Sequence, residues 1–294
     1  MAEASMGHQA RLAAAAAGTA VGAFNEPYEF TRESLRKTGA ILDTSGIRGS
    51  RSHVGERTRF GTYEVGGVIS LFATPAMLDK WLPRILGAAE SADTFALAET
   101  LPEFAVLIDR IAKRFLYDNC KVNTARFRGS AGGLVTLDLD IMGRTETISA
   151  TAFPSLAMPT DPPYVMQDGV LTLQSGARKF TQFEIVIDNT LVRRFSNSQT
   201  ATDISPSDRI ITFRCSTPFT SDEADLYGQA LAGAAASLVF TNGGYSTTFS
   251  FAALQFPDRS PVVAGKREIP LELAGIARKS GSTDELVVTH DSAA

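Results

Sequence analysis

One short unit occurs twice in this chain, and it limits the possible folds more than any other feature. The first copy is Tyr63–Gly87, YEVGGVISLFATPAMLDKWLPRILG, and the second is Asp208–Gly233, DRIITFRCSTPFTSDEADLYGQALAG. Each reads as an alternating strand, a Thr-Pro stop and a short amphipathic helix ending at Gly. Thr74-Pro75 matches Thr217-Pro218 at about half the length of the 294-residue chain. A unit repeated at that distance predicts two related domains.

The rest of the pattern recurs around the unit. A long polar loop precedes each copy: Ser45–Gly61, with Arg48, Arg51, Arg57 and Arg59, and Asn189–Ser207, with Arg193 and Arg194. Leu134–Arg144 alternates with a two-residue period, placing Thr136, Asp138 and Asp140 on one face and Leu137, Leu139 and Ile141 on the other. TLDLDIMGR (136–144) matches PLELAGIAR (270–278), which carries Glu272 in the acidic position. Asn242-Gly243 between two apolar runs predicts a hairpin, because both residues tolerate positive φ. Gly66-Gly67 permits a bulge or a close approach. Pro75 fits the first turn of a helix, and Pro83 is expected to kink or end it.

These signals predict a mainly β protein of two tandem related domains, each with a short flanking α-helix. The expected divisions are a flexible Ala-rich arm over 1–27, a first domain over 28–150, a Pro-rich linker over 151–165 and a second domain over 166–294. Ala13–Ala17 followed by Gly18 lacks the Leu, Ile or Phe of a signal segment. No run of about 18 apolar residues predicts a membrane-crossing helix. Cys120 and Cys215 read as small buried side chains, and Trp81 as core.

The chemistry of catalysis is missing from the pattern. The three histidines, His8, His53 and His290, lie near the ends or in a polar loop. There is no Gly-x-Ser-x-Gly elbow, no metal-ligand spacing and no phosphate loop; GSAGG (129–133) lacks the Gly-Lys-Ser/Thr ending. The expectation is no catalytic residue, no cofactor and no metal. A formal net charge of −4 argues against a firm grip on duplex phosphates.

Gly46–Arg48, the block Gly67–Gly87, Cys120–Asn123 with Gly129–Thr136, and Leu273–Thr289 together resemble the tail tube proteins of long-tailed, siphovirus-type bacteriophages, from about Tyr28 onward. The resemblance implies two tandem β-sandwich or barrel domains, in a structural virion protein made in the host cytoplasm and placed in the phage tail. Its subunits would form stacked rings, trimeric where the fold is duplicated, around a channel that passes double-stranded DNA without binding it. Partners would be further copies of the chain and the tail terminator, tape measure and baseplate proteins, with no membrane insertion. Asp138, Asp140 and Glu272 are then candidates for a lumen-facing acidic stripe that repels phosphate, the alternative being a solvated outer face. Arg48, Arg51, Arg57, Arg59, Arg193 and Arg194 are candidates for contacts between rings, the alternative being ordinary solvated loops. A second class of function, a non-polymerising β-sandwich such as a terminator, decoration protein or adhesin, predicts a ligand-binding face and no self-assembly.

Overall fold

The computed structural model describes residues 5–43, 46–174, 176–220, 233–257, 260–263 and 265–291. The first half carries β1 (Arg11–Ala16), β2 (Glu26–Tyr28), β3 (Arg32–Glu33), β4 (Arg36–Leu42), β5 (Arg59–Phe72), α1 (Pro75–Leu86), β6 (Thr94–Phe95), β7 (Phe104–Asp109), β8 (Arg114–Ser130), β9 (Thr136–Gly143) and β10 (Thr145–Ser149). The second half carries β11 (Gly169–Leu173), β12 (Gly176–Arg178), β13 (Gln182–Asp188), β14 (Leu191–Arg194), β15 (Asp203–Pro206), β16 (Ile210–Pro218), β17 (Ala234–Asn242), β18 (Tyr245–Gln255), β19 (Pro270–Arg278) and β20 (Leu286–Asp291). Every pairing among them is antiparallel.

The duplication is explicit in the pairing. β3/β4–β5–β9–β8 in the first half matches β13–β16–β19–β18 in the second. β7 and β10 flank β8 as β17 and β20 flank β18, and β1 joins β7 as β11 joins β17. Even a side-chain bond repeats: Ser70 Oγ donates to Asp138 at 2.6 Å, and Ser216 Oγ to Glu272 at 2.6 Å. Inward-facing residues of both halves, among them Leu139, Phe127, Ile185, Phe213 and Leu271, belong to a single contiguous core.

The register corrects the alignment of the repeated unit. Phe72 pairs with Thr136 and Pro218 with Pro270, so Phe72 is the counterpart of Pro218. The counterpart of Thr74 is therefore Thr220, and Thr217-Pro218 ends β16 instead of capping a helix. The second-half helix expected over that unit, with Leu226, Ala230 and Leu231, lies outside the described residues. In the first half, Thr74 caps α1 by accepting from Met77 N at 3.4 Å, Pro75 opens the helix and Gly87, at φ 99°, closes it. The helix runs through Pro83 to Leu86; Gly87 ends it, because the left-handed turn there suits a residue without Cβ.

The expected flexible arm is also corrected. Residues 11–16 form an inner strand between β2 and β7, with Leu12, Ala13 and Ala14 fully buried. Alanine is a poor strand former, but its small side chain lets this strand pack closely on both faces. Arg11 fixes the end of the strand, its guanidinium 2.8 Å from Asp109 and 4.7 Å from the Phe153 ring. The Pro-rich segment packs back as well: Phe153 is buried against Ala13, Ala15 and Leu107, and Tyr164 exchanges backbone bonds with Ala73 and Val135.

Helix α1 is held at both ends by the second half. Asn189 Nδ2 donates to Ile85 O at 3.1 Å, and His290 Nε2 lies 3.0 Å from Pro75 O. His290 Nδ1 is 2.8 Å from Thr247 Oγ1, which lies 3.0 Å from the Tyr164 hydroxyl. With Nε2–H donating to the Pro75 carbonyl, the neutral ring satisfies that partner. Burial holds the His290 pKa below its ordinary value, against a smaller upward pull from the Pro75 carbonyl. The folded state thus binds this proton less readily than the unfolded chain does. The contribution to stability is complete above the unfolded value of about 6.5 and is lost as pH falls below it. The melting temperature is expected to decline as pH falls below about 6.5, before the bulk of the carboxylates titrate. A His290→Asn variant should flatten that segment of the melting profile; an unchanged slope would reject the assignment.

Candidate assembly surface

The two halves meet edge to edge. β8 and β13 pair from Gln182–Ser130 to Asp188–Thr124, so β4, β5, β9, β8, β13, β16, β19 and β18 form one continuous layer. Across this internal seam, Arg128 lies 3.2 Å from Glu184 and Arg126 lies 3.3 Å from it. A strap reinforces the seam. The β14–β15 hairpin and its loop, from the second half, lie over β5 and β9 of the first. Arg193 Nη2 donates to Val65 O at 2.6 Å, Tyr63 N to Gln199 O at 2.9 Å, Arg144 Nε to Ala201 O at 3.0 Å and Lys121 Nζ to Ile204 O at 2.8 Å. Gly66 makes room for this, since a Cβ there would stand 2.9 Å from the Arg193 guanidinium.

Asp138, Asp140 and Glu272 share the outward face of this layer, as alternation requires. They do not form a purely acidic stripe. Asp138 Oδ2 lies 3.2 Å from Arg128, and Asp140 accepts from Asn123 Nδ2 at 2.8 Å. Arg126, Arg128 and Arg214 stand on the same face, opposite carboxylates in the register. The alternation of Arg126 and Arg128 in TARFRG is the sequence signal for these cations. A groove of about 530 Å³ follows the seam on this face, lined among others by Arg128, Ser130, Glu184, Arg214 and Glu272. Cys215 also lines it, but burial pushes its thiol pKa up to about 12, which leaves the sulfur protonated and a poor nucleophile. Cys120 is buried and shifted upward too. Among the described residues, no three metal-ligating side chains cluster.

The loop arginines separate into two groups. Arg193 is engaged within its own chain, on Val65 O and 3.5 Å from Glu64. Arg48, Arg51, Arg57, Arg59 and Arg194 are exposed. β4 is exposed along its whole length, with Ile41 67% and Leu42 56% accessible. At the other end of the layer, Val262 and Val263, beyond β18, are 71% and 69% accessible. An open strand edge beside exposed apolar side chains is a site for pairing with another chain.

The family model of the phage tail tube protein matches residues 7–280. The chain belongs to that family. No curated protein sequence matches it. This tail tube protein is thus a structural component of a phage tail, with the mainly β architecture described above. No helix among the described residues is long and apolar enough to cross a membrane.

Proposed function

We propose that the protein is the tube subunit itself, three copies closing into a ring of six tube domains, with rings stacked around a channel for double-stranded DNA. The observation that carries this reading is the β8–β13 seam. It joins one repeat to the next, and each chain presents the two unmatched ends of the same layer, β3/β4 and the segment beyond β18. Repeating the internal join between chains removes both open edges, as closure of a barrel does.

In this reading, the outward face carrying Asp138, Asp140 and Glu272 lines the channel. Arg126 and Arg128 on it are tied to carboxylates, so fewer cations are left to neutralise phosphate, and DNA slides instead of adhering. The exposed Arg48, Arg51, Arg57, Arg59 and Arg194 lie in loops suited to contacts between rings. Further partners are the tail terminator, tape measure and baseplate proteins, and the chain is made in the host cytoplasm before joining the virion tail. Negative-stain microscopy of purified protein should show rings or tubes, and rotational averages should have threefold symmetry with six similar lobes. A protein that stays monomeric alone and with other tail proteins would return the chain to a non-polymerising role.

A further inference from the structure

From the two halves we infer the register and the selectivity of the joint between copies: residues 260–263 of one copy pair with 33–36 of the next, Pro261 opposite Leu35. This rests on the ring reading above. In the internal seam, Asn189 N donates to Asn123 O at 2.8 Å and Ala131 N to Thr181 O at 2.8 Å. The alternation of an antiparallel ladder then makes Ile185–Phe127 a pair that exchanges backbone hydrogen bonds. The counterparts of both residues follow from the sheet. Ser70 matches Ser216; Arg32 pairs with Ser70 and Gln182 with Ser216, so Leu35 is the counterpart of Ile185. Lys121 pairs with Met142 and Gln255 with Ile276, and the chain from Lys121 to Thr136 is as long as that from Gln255 to Pro270. Phe127 therefore corresponds to Pro261.

A proline has no N–H to give the carbonyl opposite it, so pairing there would strand an acceptor. Leu35 O does not need that donor. Arg110 Nη2 donates to it at 2.5 Å and the Tyr117 hydroxyl at 2.9 Å. Glu33 holds Arg110 through two 2.9 Å bonds and also accepts from Leu35 N at 3.1 Å. In the second half, the counterparts of Arg110 and Glu33 are Phe240 and Phe183, whose rings pack 5.3 Å apart. The closed internal seam thus has an aromatic pair where the open edge has an ion pair capping one carbonyl. An incoming strand with an ordinary residue at this position would meet an acceptor already filled. The segment carrying Pro261 has no N–H to strand there, which favours this chain's own edge over other strands.

Two measurements test the joint. Arg36 would face Ser260, so an R36C/S260C variant should give disulfide-linked rings under mild oxidation, whereas R36C/V262C, two residues out of register, should not; Cys120 and Cys215 are buried and silent. Removing the cap with R110M/Y117F should lower ring yield at least tenfold, and adding P261A, which restores an N–H, should recover it. Rings that cross-link only in the mismatched pair, or through R36C alone, overturn the register and leave the tube reading standing. Failure of P261A to rescue ring yield overturns the role of the cap. A wild-type protein that never assembles overturns both this inference and the tube reading.

Discussion

Replacing Lys37 with proline should leave a folded monomer that builds no ring. Ser34 N donates to Val68 O at 2.9 Å, so the amides of Leu35, Lys37 and Gly39 point away from β5. Lys37 N instead donates to the Glu146 carboxylate at 3.2 Å. Proline there removes no bond to β5, and edge strands tolerate it. The local loss is confined to the bond to Glu146 and the contact of the Lys37 ammonium with the Tyr63 ring at 3.8 Å, together about 1–2 kcal/mol. A joining strand, however, would lose the donor immediately beyond Arg36, where its ladder must continue along β4. Light scattering should report a monomer with a melting temperature a few degrees below wild type, and micrographs should be empty of tubes. Tubes at wild-type yield would rule out β4 as a joining edge.

Trp81→Ala should be the most destabilising core substitution, at about 3–5 kcal/mol. The indole is fully buried, edge-on to Phe104 at 5.3 Å and tilted against Tyr28 at 5.4 Å, with the Arg84 guanidinium 5.1 Å from its ring. Arg84 in turn holds Glu26 at 2.7 Å, so the cavity would open beneath β2 as well as α1. The indole Nε1–H finds no acceptor among the described residues. Trp81→Phe discards that unsatisfied donor while keeping a ring, and should cost less than half as much as the alanine change. Denaturant melts followed by far-ultraviolet dichroism give both values. Equal losses for the two substitutions would show that neither the cavity nor the orphaned donor governs the site.

The legible parts of the sequence were those where side-chain chemistry and backbone geometry agree. Alternation marked β9 and β13 because one face is core and the other is wet. Asn242-Gly243 marked the β17–β18 turn, and Thr74, Pro75 and Gly87 bounded α1. The strand β1 was hidden because alanine carries no strand preference; its partner β7, remote in sequence, is what selects it. In β8 the alternation breaks where Asn119 adopts φ 50° and the pairing register shifts nearby, which interrupts the pattern without ending the strand. Thr217-Pro218 sets the repeated unit three residues out of step, because the dipeptide recurs away from the structurally equivalent position, which only the hydrogen-bond register displays. The acidic candidates share one face of the sheet, but their arginine neighbours come from other strands, and single-strand spacing carries no information across a sheet.

The grip of Asn189 and His290 on the two ends of α1 has a geometric consequence. A head-to-tail contact makes a closed ring only when its rotation divides a full turn; otherwise it makes an open spiral. In a ring of three chains, half of the six rotations lie within chains, between one repeat and the next. A helix fastened at both ends to the other repeat sets that angle during folding, before any second copy arrives. Curvature is then a property of the monomer, and only the remaining rotations are decided by collision.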